Sequence, residues 1–92
     1  MASLQARLKS REVVLTPERW VHILVRHGEM AGHRDAILRG VHEPTLVRRG
    51  SMPGEMQYLR RGSGPSTWLF VVVHYDDRTG RITTAFGRRW IP

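Results

Sequence analysis

The side chains best suited to catalysis or ligand binding in this sequence are five histidines and fourteen arginines. Arg presents a planar fork of donors that fits two phosphate oxygens at once, and His exchanges protons near neutral pH. These groups suffice for one reaction without a metal. In RNA, the 2′-hydroxyl attacks its own neighbouring phosphate when a base, an acid and a cationic group are in place. The composition therefore raises the question of whether the protein binds RNA or also cuts it.

His27 is the strongest candidate for a proton-transfer group. Trp20, Ile23, Leu24 and His27 follow the spacing i, i+3, i+4 and i+7, so the histidine lies beside the apolar stripe of a predicted helix, at its end. An imidazole positioned there could act as general base or acid. The structural alternatives are a core histidine with a satisfied hydrogen bond, or a cation that complements the negative helix C-terminus.

The other histidines do not have the spacing of a metal site. His22 lies five positions before His27, about 140° around a helix, so the two cannot hold one metal from one face. No pair among His33, His42 and His74 has ligand spacing, and the carboxylates are scattered. Because the chain also contains no cysteine, we predict no metal and no other cofactor.

Arginines and a threonine on predicted strands are candidate phosphate ligands. Arg60 and Arg61 point to opposite faces of one strand, so one of them lies on the open face if helices cover the other. Thr84, on the last strand, could donate to a phosphate oxygen. The structural alternatives are an edge-strand charge that opposes aggregation and an ordinary strand threonine. Arg88 belongs either to a phosphate clamp or to a solvated tail.

Three aromatic residues could stack on bases, namely Trp68, Tyr58 and Phe86, although each could equally belong to the core. Strict alternation along the last strand places Phe86 on the same face as Thr84 and Ile82.

The composition limits the class of protein. A chain of 92 residues forms one domain, and a net charge of +7 promotes association with polyanions, RNA being the first candidate. The absence of cysteine fits a reducing cytosol. The longest apolar run, residues 68–73, is far shorter than the roughly 20 residues that cross a bilayer, and the N-terminus lacks the apolar stretch of a secretory signal. We therefore expect a cytoplasmic protein with no membrane partner.

The elements that position these residues follow from apolar spacing and turn signals. Thr16 can cap a helix whose first position suits Pro17. Helices and strands are segregated along the chain, which predicts an α+β fold with two helices packed on one face of a sheet of three or four antiparallel strands. The other face is then open to a ligand. The predicted elements are a basic arm (1–11) and, within a domain spanning 12–92, a short strand (12–15), helices over 17 to 26 or 27 and about 33–41, and strands over 45–48, 57–61, 68–75 and 81–86.

Several segments resemble a known superfamily. The run LTPERWVHILVRH (15–27) is similar to the opening of the barnase–EndoU–colicin–RelE-like (BECR) ribonucleases, particularly their phage and mobile-element branch. The later runs YLRR (58–61), LFVVVHY (69–75) and ITTAF (82–86) agree in order. The resemblance covers roughly residues 13–91. It implies two helices followed by an antiparallel sheet, and metal-independent cleavage of RNA.

The resemblance also assigns roles to single residues. The helix histidine of the family falls on His27, the neighbouring arginine on Arg26, the strand arginine on Arg60 and the late threonine on Thr84.

Three positions depart from the family pattern. Gly28 stands where Pro is expected, Phe86 where Tyr is common and His74 where Lys is common. Loss of a Tyr hydroxyl or a Lys charge is compatible with altered chemistry, or with a domain that binds RNA without cutting it.

The expected function is thus a small metal-independent ribonuclease, the toxin of a toxin–antitoxin or mobile-element system, whose partner is an acidic antitoxin or immunity protein. One alternative is a non-catalytic RNA- or DNA-binding module on the same scaffold, and another is a protein-binding domain whose charge only aids solubility. The expected catalytic residues are His27, Arg60, His74 and Thr84, and the expected RNA contacts are Arg26, Arg61, Tyr58 and Arg88.

Overall fold

The computed structural model describes residues 12–77 and 79–91, so the predicted basic arm over 1–11 lies outside the described residues. Helices and strands in these ranges form the predicted α+β fold. None of the helices in the described part of the chain is long and apolar enough to cross a membrane. The elements are β1 (Glu12–Val14), α1 (Pro17–Arg26), a short 3₁₀ helix (Gly28–Met30), α2 (Arg34–His42), β2 (Leu46–Arg49), β3 (Glu55–Arg61), β4 (Trp68–Asp76) and β5 (Thr79–Arg88).

The first helix begins and ends as its sequence predicts. The Thr16 hydroxyl accepts a hydrogen bond from the backbone N–H of Arg19 at 3.2 Å, and Pro17 occupies the first turn, where its missing N–H leaves no bond unmade. At the other end, the His27 N–H donates to the Ile23 carbonyl at 2.6 Å. α1 therefore delivers His27 at a defined point, immediately after its last turn.

The described strands form one mixed sheet in the order β1-β5-β4-β3-β2. All neighbours are antiparallel except β1, which pairs parallel to β5. The predicted antiparallel sheet is confirmed in β2–β5, and the short N-terminal strand adds a fifth, parallel strand at the β5 edge.

Both helices cover the same face of the sheet. Ile23 of α1 and Ile37 of α2 are fully buried against a row of side chains from β4 and β5. α2 approaches β4 closely because Gly40 is buried there, and a Cβ added at this position would lie 3.4 Å from the side chains of Leu69 and Val71. This contact explains a helical glycine that lowers intrinsic helix propensity.

A bulge in β5 decides which of its side chains face away from the helices. Val72 of β4 pairs with Thr84, whereas the next residue, Val73, pairs with Ile82. Thr83 is therefore an extra residue on β5. Ile82 and Ala85 are both fully buried beneath the helices, whereas Thr84 and Phe86 lie on the other face. The expectation that Ile82 shares a face with Thr84 was therefore wrong, because strict alternation does not allow for a bulge.

The face of the sheet away from the helices, which we call the open face, has a small buried cluster of its own. Leu59, Phe70 and Val72 are buried there although none of them belongs to the core beneath the helices. Side chains of the open face itself, rather than helices, cover Phe70. The open face thus has side chains that pack against one another and bury part of the sheet without the help of a helix.

Candidate functional site

Two neighbouring rows of the open face combine aromatic and arginine side chains. In the first row, Trp68 of β4 pairs with Arg61 of β3 and with Arg88 of β5. In the second row, Phe70 pairs with Phe86. Their rings are stacked, with centroids 5.2 Å apart and planes 16° from parallel. The sheet register therefore gathers residues that are far apart in sequence.

Each of the three rings lies under a guanidinium group, within the roughly 6 Å at which a cation is attracted to a ring. The rings are Trp68, Phe70 and Phe86, and the guanidinium groups belong to Arg61, Arg48 and Arg88. We call these six residues the Arg–aromatic face. The distances from guanidinium carbon to ring centroid are 5.0 Å for Arg88 over Phe86, 5.6 Å for Arg48 over Phe70 and 5.8 Å for Arg61 over Trp68.

The rings hold the guanidinium groups in place more than they offer free stacking surface. Phe70 is only 2% exposed, so it supports Arg48 and Phe86 without reaching a ligand itself. Trp68 and Phe86 are half-buried. A guanidinium stacked on a ring keeps its N–H edge available for hydrogen bonds, so this face suits ligands that bear phosphate oxygens.

Arg48 is the member of this face that sequence reasoning missed. Its Nε donates to the Gln57 side-chain oxygen at 2.8 Å, which adds a second constraint on the guanidinium. Alternation in the predicted strand places Arg48 and Val47 on opposite faces, but only the pairing with β3 shows which face is open. No local signal could have identified it.

His27 lies at the margin of the Arg–aromatic face. Its ring centroid is 5.3 Å from that of Phe86, with the planes tilted by 35°. The side chain is 33% exposed, and its Nδ1 lies 3.8 Å from a carboxylate oxygen of Glu29. The imidazole is therefore neither sealed in the core nor remote from arginine, because Phe86 also carries Arg88.

The position of Phe86 depends on α1 as well as on β5. Arg19 of α1 donates from Nη2 to the carbonyl oxygen of Thr83 at 2.6 Å. The Thr83 hydroxyl in turn donates to the carbonyl of Val72 at 3.3 Å. The helix that presents His27 thus also fixes the bulge that turns Phe86 toward it.

Two further predicted residues, Thr84 and His74, lie on the open face at different distances from His27. Thr84 is two residues from Phe86 on the same strand and pairs with Val72, so it lies one row from the ring that contacts His27. His74 is four residues from Phe70, about 13 Å along β4 at the usual rise of a strand, and pairs with Glu55 and Arg81. Thr84 is therefore one row, and His74 two rows, from the row of Phe70 and Phe86.

Arg60 and Tyr58 lie on the helix-covered face. Arg60 donates from Nη1 to the carbonyl of Glu43 and from Nε to the Ser63 hydroxyl at 3.1 Å. The Tyr58 hydroxyl is hydrogen-bonded to that of Tyr75. The structure does not bring these two residues together with His27, since alternation along β3 gives the open face to Arg61 instead.

Arg26 lies in the last turn of α1, directly before His27, and is exposed. Desolvation, followed by the positive charges of Arg19, Arg26 and His27, lowers the pKa of His22 below its ordinary value. The polar side of α1 is therefore cationic, and it borders the Arg–aromatic face.

No protein-family model matches the chain, and no match was found among curated proteins or solved structures. Within 12–77 and 79–91, no three His, Asp or Glu side chains are grouped so that they could hold a metal ion.

Proposed function

We propose that this protein is a metal-independent endoribonuclease that binds single-stranded RNA on its open face and uses His27 to move a proton. The observation that carries the proposal is the contact of the His27 imidazole with Phe86, whose ring also supports the Arg88 guanidinium. The expected proton-transfer group and an expected phosphate ligand therefore contact the same ring. The resemblance to BECR ribonucleases supports the same activity.

The binding step rests on the arginines of the Arg–aromatic face. Three guanidinium groups held on rings provide fork-shaped donors for successive phosphates. The exposed parts of Trp68 and Phe86 are available for contact with unpaired bases. Single-stranded RNA fits this arrangement better than a duplex, since duplex bases are already stacked and paired.

The cleavage step is a transfer of the phosphate within the RNA. Neutral His27 removes the proton of a 2′-hydroxyl, whose oxygen bonds to the adjacent phosphorus as the bond to the 5′-oxygen breaks. The leaving 5′-oxygen takes a proton from water, and the products are a 2′,3′-cyclic phosphate and a 5′-hydroxyl. Arg88 stabilises the charge that develops on the phosphate, and the Thr84 hydroxyl, on the same face of β5, donates to one of its oxygens.

The test is cleavage of a single-stranded oligoribonucleotide in the presence of chelator. Wild-type protein should give 2′,3′-cyclic phosphate ends, and His27→Ala should lower the rate by a factor of about 10²–10⁴, the usual contribution of a positioned base. The matched control is His42→Ala, which removes an exposed imidazole from the end of α2 and should leave the rate unchanged. Equal rates for wild type and His27→Ala would refute the assignment.

A second candidate function is binding of RNA without cleavage. It is favoured by the position of His74, the expected second proton-transfer group, which lies two rows from the His27 contact. This candidate predicts salt-sensitive RNA binding and no cyclic phosphate ends even at high protein concentration.

The cellular role within the same proposal is that of a cytoplasmic toxin from a toxin–antitoxin or mobile-element system. A ribonuclease that cleaves without a cofactor must be restrained in its own cell. An acidic partner protein could do this, because its carboxylates complement a chain with a net charge of +7.

A further inference from the structure

The outer strand β2 has the features of a surface that accepts another strand. It lies at the end of the sheet, and among the described strands it pairs only with β3. The other edge of its backbone therefore carries donors and acceptors with no strand beside them. Leu46 and Val47 are 42% and 43% exposed. They lie on opposite faces of the sheet, so this edge is apolar on both sides.

A cleft of about 1250 Å³ lies beside β2 on the helix-covered face. Its wall is formed by apolar residues that include Val41, Val47 and Met56, by Tyr58 and Tyr75, and by the charged or polar residues Arg39, His42 and Glu43. Because Val47 is both an edge residue and part of the cleft wall, side chains of an added strand on that face would reach into the cleft.

The positive charge of β2 favours an acidic partner. Arg48 and Arg49 follow the two apolar residues. Arg49 is exposed and has no carboxylate within ion-pair distance among the described residues. A second copy of this chain fits poorly, since antiparallel pairing of two β2 strands would bring the arginine pairs of both copies into one short interface, where like charges destabilise.

We propose that β2 binds an extended segment of a separate protein in which a pair of adjacent apolar residues lies beside a pair of adjacent acidic residues. The segment adds to the sheet as a new edge strand through main-chain hydrogen bonds. Its apolar side chains contact Leu46 on one face and enter the cleft beside Val47 on the other, while its carboxylates pair with Arg48 and Arg49. This inference does not depend on RNA binding or cleavage.

The experiment titrates the full chain with a short synthetic peptide that contains a Val-Val pair next to a Glu-Glu pair and is capped at both ends. Binding should saturate below about 1 mM peptide, and amide chemical-shift changes should centre on Leu46–Arg49. Val47→Glu should weaken the binding by roughly tenfold or more, because it adds repulsion and removes apolar contact. The matched control is Val25→Glu on α1, where the valine is 78% exposed, and this variant should bind like wild type.

Two peptide controls separate strand addition from simple charge attraction. A peptide with the same composition in which Glu and Val alternate strictly should bind weakly, because alternation places all of its carboxylates on one face of the added strand. A peptide methylated on the backbone nitrogens of one edge should also bind weakly, because it cannot form the ladder. The inference is overturned if the parent peptide does not bind, if either control peptide binds as tightly as the parent, or if Val25→Glu weakens binding as much as Val47→Glu. Sedimentation that shows a dimer abolished by Val47→Glu would also overturn it, by assigning the edge to a second copy.

Discussion

Two neighbouring arginines on β3 illustrate how a single position decides what a side chain does. Arg60 reaches two oxygens next to the helices, at Glu43 and Ser63, and so links β3 to the loop after α2. Arg61 stands on the open face over Trp68 and is exposed. The same residue type therefore serves packing at one position and is available to phosphate at the next.

Substituting each of these arginines should affect a different property. Arg60→Ala should lower the free energy of unfolding by about 1–3 kcal/mol, since it removes hydrogen bonds from a charged donor. Arg61→Ala should leave stability within about 0.5 kcal/mol while weakening RNA binding and reducing the slope of its salt dependence by about one. Urea unfolding and RNA titration at several salt concentrations measure the two effects.

The control for the arginine substitutions is Arg34→Ala, at the exposed start of α2. It should change neither property measurably. A loss of RNA affinity in Arg34→Ala equal to that in Arg61→Ala would show that overall charge, and not the open face, governs binding.

The bounds of a helix can be predicted from its own sequence more fully than the faces of a strand can. α1 was predicted almost to the residue, because Thr16, Pro17 and the apolar spacing are local signals. The faces of β5 were not, because the bulge at Thr83 is produced by pairing with β4 and by the bond from Arg19. The same limit applies to Arg48, whose face depends on the register with β3. Local chemistry predicts elements, whereas the candidate site is assembled by contacts between them.

The bond from Arg19 to the β5 bulge gives a prediction at the scale of elements. Arg19→Ala should lower the free energy of unfolding by about 1–3 kcal/mol, the range for hydrogen bonds of a charged group. It should also weaken RNA binding, although Arg19 bonds to the helix side of the bulge, because Thr84 and Phe86 lose their support. Thermal or urea unfolding and an RNA titration test both effects.

Arg39→Ala is the control for this prediction. Arg39 is exposed on α2 and forms only a surface ion pair with Glu43, at 3.9 Å, so its loss should cost less than about 0.5 kcal/mol. If Arg19→Ala is as stable as Arg39→Ala and binds RNA like wild type, α1 does not hold the bulge in place.

The molecule as a whole separates two kinds of surface on the two faces of one sheet. The open face carries guanidinium groups on aromatic rings with an imidazole at their margin, and the helix-covered face carries a cleft lined by apolar and charged side chains beside the outer strand. The two proposals place RNA on the open face and a protein segment at the edge of β2, and the two sites share Arg48. The net charge of +7 favours polyanions in general, and the open face is where the described guanidinium groups lie over rings.

The most direct test of RNA binding on the open face is to map the RNA contacts on the isotope-labelled protein by NMR. The ligand is a single-stranded oligoribonucleotide with a 2′-O-methyl group at every position, so that no 2′-hydroxyl is left to attack a phosphate. RNA binding on the open face predicts chemical-shift changes that centre on Trp68, Phe86 and the His27 imidazole and are absent from the cleft residues Val41 and Met56. Changes centred on the cleft, or spread evenly over the surface arginines of both faces, would contradict it.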